Sequence, residues 1–258
     1  MIDRRSHPAV RRLREAREDR SLLFVEGVRA AEELVASALR AIEFYFSPAL
    51  KKADALLANL RETGTPGEQL SNDVMAFVSG LEAPPGLIVL AERPASRWEA
   101  ALASRTSPLV VVLDSVQNPA NAGAVLRAAE AAGATAVLQS KGGADLLGPK
   151  SIRASGGSAF RLPLGDGRTA AEWAKTLAAR NIALVAADAR GDVPYTDVDW
   201  TVPTALFLGG ETGFSDQLDV PKIKIPLASP VESLNLAVAA GVMLFEAVRQ
   251  RSPLAGRI

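Results

Sequence analysis

The sequence predicts an α/β protein built in two parts, and three observations carry that prediction. Short apolar segments alternate with longer helix-forming ones along the chain, the pattern of strands and helices stacked in layers. A polar stretch between Ala91 and Pro108, holding Pro94, Ser96, Ser104, Ser107 and Pro108, separates two such series. The second series then opens abruptly on Leu109–Leu113, LVVVL, the continuous apolar run of a strand buried on both faces.

The first series reads as a helix over Pro8–Glu18, a strand over Leu22–Val25 and a helix over Gly27–Ala38. A strand over Ile42–Phe46 and a helix over Pro48–Leu60 follow. The Gly/Pro loop Gly64–Gly67 leads to a short strand at Glu68–Leu70, a helix at Asn72–Val78 and a strand at Gly86–Leu90. In the second series strands are expected at Leu109–Leu113, Ala136–Leu138, Ala183–Ala186, Ala205–Leu208 and Ile223–Pro226. Helices are expected at Ala122–Ala132, Thr169–Arg180 and Leu234–Gln250. This is a parallel α/β pattern, in which ligands bind at the carboxyl ends of strands. The loops that fall there are Asp114–Asn121, Gly209–Phe214 and Ala228–Asn235. The expected division is a first domain over 1–97, a linker over 98–107 with a helical portion at Trp98–Ala103, and a second domain over 108–258.

Composition narrows the chemistry. Of 258 residues 48% are hydrophobic, enough for a real core, and no apolar run reaches the length of a bilayer-spanning helix. The charged N-terminal segment lacks the apolar centre of a signal peptide, so a cytoplasmic protein without membrane contact is expected. There is no cysteine and one histidine, His7. Cysteine nucleophiles, thiolate metal sites and His-based triads are thereby excluded, and no metal is expected. Chemistry must rest on Arg, Lys, Asp, Glu, Ser, Asn or Tyr, on backbone groups, or on a bound cofactor. Net charge is formally zero, yet residues 1–20 hold seven arginines against four acids. Such a patch either pairs internally along a helix face or binds phosphate backbones.

Three segments carry functional signals. In Leu113–Ala134, Asn118-Pro119 turns the chain away from its strand, Asn121 is placed to cap the next helix, and Gly123 permits close approach. Arg127 stands among Ala, Val and Leu, where a buried guanidinium needs an anion: an internal acid such as Glu130, or a ligand phosphate. In Leu206–Asp216 the strand ends in Gly209-Gly210, then Glu211 and Gly213, a loop whose backbone can approach a flat ligand; it is neither a Walker loop nor GxGxxG. In Ile225–Gln250 a strand stops at Pro226, a small-residue loop follows, and Ser233-Leu234-Asn235 opens a long apolar helix. Unpaired N–H groups and short polar side chains at that entrance either cap the helix or read a ligand. Ser155-Gly156-Gly157-Ser158 is a further small-residue cluster, after a short helix bearing Lys150 and Arg153. A dinucleotide-dependent oxidoreductase is disfavoured because the glycine fingerprint after the first strand is missing.

Taken in this order, the three segments resemble the SpoU-type RNA 2′-O-ribose methyltransferases of the SPOUT superfamily, over essentially the whole chain. Pro119, Asn121, Gly123 and Arg127 match the first motif. Leu208, Gly209 and Glu211 match the second, and Ile225, Pro226, Ser233, Leu234 and Asn235 the third. Val10–Ser37 resembles the family's L30e-like substrate-binding domain. The resemblance implies a second domain with a mostly parallel sheet and a deep C-terminal trefoil knot, and a homodimer formed through that domain. It implies S-adenosylmethionine bound against Leu208, Gly209, Gly210, Gly213, Ile225, Pro226, Leu227, Ser233, Leu234 and Asn235. Arg127 becomes the principal catalytic residue, supported by Asn121, Glu211, Ser233 and Asn235. One departure stands out: a single residue, Thr212, separates Glu211 from Gly213 where the family has two, so the loop is expected to follow a different path.

Methyl transfer to a ribose hydroxyl requires alignment of oxygen and methyl and help in removing a proton. A guanidinium is a poor base, so binding a neighbouring phosphate and polarising the hydroxyl is the role expected of Arg127. The substrate expected is structured RNA, ribosomal RNA of the large subunit ahead of transfer RNA. An RNA-binding or assembly protein that keeps the fold without activity is the alternative. RNA contacts are expected from Arg4, Arg5, Arg11, Arg12, Arg14, Arg127, Lys150 and Arg153.

Overall fold

The computed structural model describes residues 1–37, 39–210, 213–214 and 218–252. They form two compact units: residues 1–95 with 147–161, and residues 96–146 with those from 162 on.

The first unit is built on a mixed four-stranded sheet in the order β1-β4-β2-β3. The strands are β1 (Leu22–Glu26), β2 (Ala41–Phe46), β3 (Gly67–Gln69) and β4 (Leu87–Glu92). β4 runs antiparallel to both β1 and β2, and β3 pairs parallel with β2. Helices α1 (Pro8–Glu18) and α4 (Asn72–Val78) cover one face. Val10, Leu13 and Ala16 of α1 and Val74, Met75 and Val78 of α4 pack there with Phe24, Tyr45, Ile88 and Leu90. Both helices start where a cap satisfies an orphan N–H: His7 Nδ1 accepts from Ala9 N–H at 3.3 Å, and Ser71 Oγ from Val74 N–H at 3.3 Å. α2 (Val28–Ala36) packs on β1, β4 and α3 (Asp54–Glu62). α3 begins six residues later than the sequence pattern suggests, because Lys52 takes φ 55°, which a right-handed helix cannot contain. The short helices α7 (Pro149–Ser155) and α8 (Ser158–Arg161) belong to this unit, with α7 against β1 and Arg161 paired to Glu33 at 2.5 Å.

In the second unit the described residues form a seven-stranded sheet, parallel throughout, in the order β7-β6-β5-β10-β8-β11-β9. The strands are β5 (Leu109–Asp114), β6 (Ala136–Ser140), β7 (Leu164–Arg168), β8 (Ala183–Ala187), β9 (Val193–Pro194), β10 (Thr204–Gly209) and β11 (Lys222–Lys224). β11 ends one residue before Ile225, so Ile225 and Pro226 lie beyond the strand expected to contain them. Helices α5 (Trp98–Ala103) and α9 (Ala170–Ala178) pack on one face with Val110, Val112, Leu138 and Phe207. Trp98 meets Trp173 edge-on at 5.1 Å, and the buried indole N–H of Trp173 donates to the Gln139 carbonyl at 3.1 Å. Residues 98–107, expected as a linker, therefore contribute a helix with Trp98 and Leu102 buried, and 147–161 group with the first unit. α6 (Pro119–Ala131) and α10 (Leu236–Arg251) pack against each other. Among the described residues no helix is long and apolar enough to cross a membrane.

The sheet order places the site. β10 lies between β5 and β8, although β8 and β9 precede it in the chain. Strand order therefore reverses at β5/β10, and the carboxyl ends of these two strands, Asp114 and Gly209, stand side by side.

Candidate functional site

The floor is a backbone-to-backbone contact held by a buried carboxylate. Asp114, wholly buried at the end of β5, accepts from Ser140 Oγ at 2.6 Å and from Ser115 Oγ at 3.3 Å. Ser140 Oγ in turn accepts from Ser115 N–H at 2.9 Å. These bonds hold Ser115 at φ 53°, a conformation few residues other than glycine adopt. Gly210 N–H donates to the Asp114 carbonyl at 2.9 Å. A Cβ on Gly210 would lie 2.6 Å from the Ser115 carbonyl oxygen, and one on Gly209 would lie 2.9 Å from the Gly213 carbonyl carbon. Only glycine permits either approach. Gly213, at φ 85°, donates to the Gly210 carbonyl at 2.9 Å. Glu211, expected as a catalytic residue, lies outside the described residues. In the sequence Asp114 stands only as the start of a loop; an acid closing the apolar run LVVVL is the signal that marks it, whereas nothing in the sequence marks Ser115 and Ser140 as its partners.

The walls are the entrances of α6 and α10. Asn118, not Asn121, caps α6, accepting from Ala120 N–H at 2.9 Å and Asn121 N–H at 3.4 Å. The reason is Pro119: its fixed φ and missing N–H suit the first helical position, and it keeps Asn118 extended. Asn121 is left with its side chain available, and Asn235 Nδ2 donates to Asn121 Oδ1 at 3.3 Å. Asn235 Oδ1 meanwhile caps α10 through Ala237 N–H at 2.9 Å. The first and third sequence signals, 114 residues apart, thus meet.

β11 lies beyond β8, two strand spacings or about 10 Å from β10. Since Asn235 nonetheless reaches α6, the segment 225–235 runs back across the strand ends towards β5. Lys222 Nζ, 3.2 Å from Asp188 Oδ2, ties β11 to the end of β8. The Asp188 carboxyl is held below the usual carboxylate range, first by the Arg190 backbone N–H and then by Lys222, against the opposing effect of burial. Along the returning segment Ile225, Leu227 and Leu234 are half-buried, Pro226 and Ser233 are exposed, and Leu208 on β10 is buried. Glycine backbone beside half-buried apolar side chains suits a ligand with a flat ring and sugar hydroxyls, so these residues fit a nucleoside cofactor.

Arg127 departs from expectation. The buried side of α6 is made by Ala122, Gly123, Val125, Leu126 and Ala129, which leaves Arg127 exposed. Among the described residues it makes no ion pair, so of the two anions its apolar neighbours call for, an internal acid or a ligand phosphate, the internal acid is not found there. Lys150 and Arg153 are exposed on α7, in the first unit. Arg4, Arg5, Arg11, Arg12 and Arg14 are exposed there too, but Arg12 is engaged by Glu43 at 2.5 Å.

The model of the SpoU rRNA Methylase family matches residues 108–245. The chain is 38% identical over 179 residues to a 23S rRNA (uridine(2479)-2′-O)-methyltransferase of Streptomyces viridochromogenes, spanning 66% of this chain and 62% of that protein. It is 33% identical over 211 residues to the 23S rRNA (guanosine-2′-O-)-methyltransferase RlmB of Pseudomonas putida, spanning 78% of this chain and 84% of that one. The crystal structure of the SpoU methyltransferase AviRb from Streptomyces viridochromogenes in complex with the cofactor AdoMet superposes with a TM-score of 0.84 at 30% identity. That superposition covers 95% of this chain and 98% of the other.

Proposed function

This chain belongs to the SpoU rRNA Methylase family, and on that premise we propose that it transfers a methyl group from S-adenosylmethionine to a ribose 2′-hydroxyl of large-subunit ribosomal RNA. The observation that carries the proposal is the Asn235–Asn121 hydrogen bond, which joins the two helix entrances above the Gly209–Gly210 floor. The relatives named as 23S rRNA 2′-O-methyltransferases and the AdoMet-bound structure of similar fold support it.

When bound, S-adenosylmethionine supplies an electrophilic methyl group on a sulfonium. The backbone of Gly209, Gly210 and Gly213, with Leu208, Ile225, Pro226, Leu227 and Leu234, forms its cradle. Ser233 and Asn235 offer hydroxyl and amide groups at its rim. Arg127, an exposed guanidinium on the same helix as Asn121, grips the phosphate next to the target ribose with its planar fork and polarises the hydroxyl. The hydroxyl proton leaves to that phosphate or to another acceptor, because a guanidinium already holds all the protons it can carry and has no acceptor site. Asn121, oriented by Asn235, keeps its own amide N–H groups for the ribose. Glu211 is assigned a supporting role by the family motif alone.

The same reading includes a homodimer, a trefoil knot in the second unit, an L30e-like first unit and a cytoplasmic location. The homodimer is supported by α10, where Val238 and Phe245, both about half exposed and two turns apart, line one side of the helix. The return of segment 225–235 across the strand ends is the feature that supports the knot.

The test is calorimetry with S-adenosylhomocysteine followed by transfer of tritiated methyl to ribosomal RNA. Wild type, Arg127→Ala and Arg127→Lys should bind the cofactor product alike. Transfer should fall by at least about 100-fold in the Ala variant, the usual effect of removing a donor from a reacting centre. Lys keeps the charge but not the fork and should recover only part of it. Normal transfer by Arg127→Ala would sink the assigned role. Cofactor binding without transfer by the wild type would favour the non-catalytic RNA-binding reading, and preferential transfer to transfer RNA would move the substrate.

A further inference from the structure

The arginines of residues 1–20 are not equivalent in the folded first unit. Arg12 is engaged by Glu43, whose other oxygen accepts from Tyr45 Oη at 3.1 Å. Arg17 donates to the Val78 and Ser79 carbonyls at 3.2 and 3.1 Å. Arg11 approaches Glu15 at 3.8 Å. Arg5 and Arg14 do something else: both place their guanidinium over the ring of Phe77, at 4.5 and 5.0 Å from its centroid. Neither makes an ion pair with an acid among the described residues.

This arrangement is anchored. Phe77 lies on α4, half-buried against the core that holds Val10, Leu13, Val74 and Val78. Arg14 projects from α1. Arg5 sits just after Ile2, which pairs with Leu70 as a bridge and is fixed by Ile2 N–H to Gln69 carbonyl at 2.7 Å and Ser71 N–H to Ile2 carbonyl at 2.8 Å. Two like charges converging on one ring repel, and among the described residues no carboxylate pairs with them, so fold stability alone does not account for the pair. The ring faces attract guanidinium groups and restrict their rotamers while leaving the N–H edges for hydrogen bonding. Those edges match phosphate oxygens in bidentate geometry.

We propose that Arg5 and Arg14, pre-oriented by Phe77, form a clamp for two phosphates of the RNA strand. The clamp rests on the RNA-methylating function argued above and assigns it a contact in the first unit, made by three residues brought together from 5, 14 and 77. The positive patch that the sequence shows as one block is thereby divided. Arg12 and Arg17 hold the fold, and Arg5 and Arg14 face the substrate.

The test measures binding of full-length protein to unmethylated 23S ribosomal RNA transcript across a range of KCl, together with methyl transfer and thermal midpoint. Each phosphate contact contributes roughly 0.7–0.9 to the slope of log K against log salt. The double variant R5A/R14A should therefore flatten the slope by roughly 1.4–1.8 with S-adenosylhomocysteine binding unchanged. Phe77→Leu keeps both charges and the apolar packing but removes the ring. It should leave the slope near the parent's and weaken binding about two- to fivefold. An unchanged slope in R5A/R14A, with the thermal midpoint retained, overturns the clamp even if Phe77→Leu fails to fold. Failure of the wild type to methylate RNA in the same assay strikes the function itself, whereas normal methylation with an unchanged slope strikes only the clamp.

Discussion

Asn235 has two hydrogen bonds with different purposes, and substitution can separate them. Its Oδ1 caps α10 by accepting from Ala237 N–H at 2.9 Å, and its Nδ2 donates to Asn121 at 3.3 Å. Replacing an Asn cap by Ala costs about 1 kcal/mol, and a long, exposed side-chain bond contributes about 0.5 kcal/mol. Asn235→Ala should thus lose about 1.5 kcal/mol and lower the thermal midpoint by about 3–6 °C for a chain of this size. Asn235→Ser keeps a capping oxygen but is too short to reach Asn121, so it should lose only about 0.5 kcal/mol, or about 1–2 °C. If the pair exists to orient Asn121, methyl transfer should fall in both variants alike, by about 100-fold, the effect of an ångström-scale misplacement at a reacting centre. The assay is differential scanning calorimetry beside tritium transfer under saturating S-adenosylmethionine. A Ser variant that regains activity in step with stability would refute the reasoning, because Asn235 would then be a helix cap and nothing more.

Two further outcomes follow from the end of α10. Arg251 donates to the carbonyls of Trp200, Ser107 and Val202 at 2.5, 2.9 and 2.8 Å, so Arg251→Ala should cost about 2 kcal/mol after allowance for partial exposure, read as a drop of about 4–8 °C in thermal midpoint. Glu246 is 9% exposed and its carboxyl is held below its ordinary value, first by hydrogen bonding from Arg249. A lowered folded pKa stabilises above the unfolded value and loses that stabilisation as pH falls through the folded one. Glu246→Gln should therefore flatten the decline in stability below about pH 5, measured by urea unfolding from pH 7 to 3.

Much of the architecture is legible in the sequence where local chemistry and burial agree. Pro8–Glu18 and Asn72–Val78 are helices with the expected bounds, because a capping side chain and a change of apolar period coincide at each start. β7 is not legible in the sequence, because Leu164–Arg168, LGDGR, has no apolar run; it forms by pairing with β6, a long-range effect. β9, two residues long, offers no pattern at all. At the site, the glycine pair and the Asn235 entrance are readable as residue types. The choice of Asn118 over Asn121 as cap depends on the backbone preference of a residue before proline. The exposure of Arg127 depends on which side of α6 meets α10, which the run of alanines around it does not encode. The same holds for Phe77, whose two arginines come from a turn and a helix more than sixty residues away.

In the proposed function the Asn121–Asn235 junction and Arg127 serve ribose methylation of large-subunit ribosomal RNA. Mapping of 2′-O-methyl groups on unmethylated 23S ribosomal RNA transcript, after incubation with the protein and S-adenosylmethionine, tests it most directly. One new ribose position should be protected from alkaline cleavage with wild type and none with Arg127→Ala. Methyl incorporation on a base, or RNA binding by wild type with no protected ribose, would contradict it.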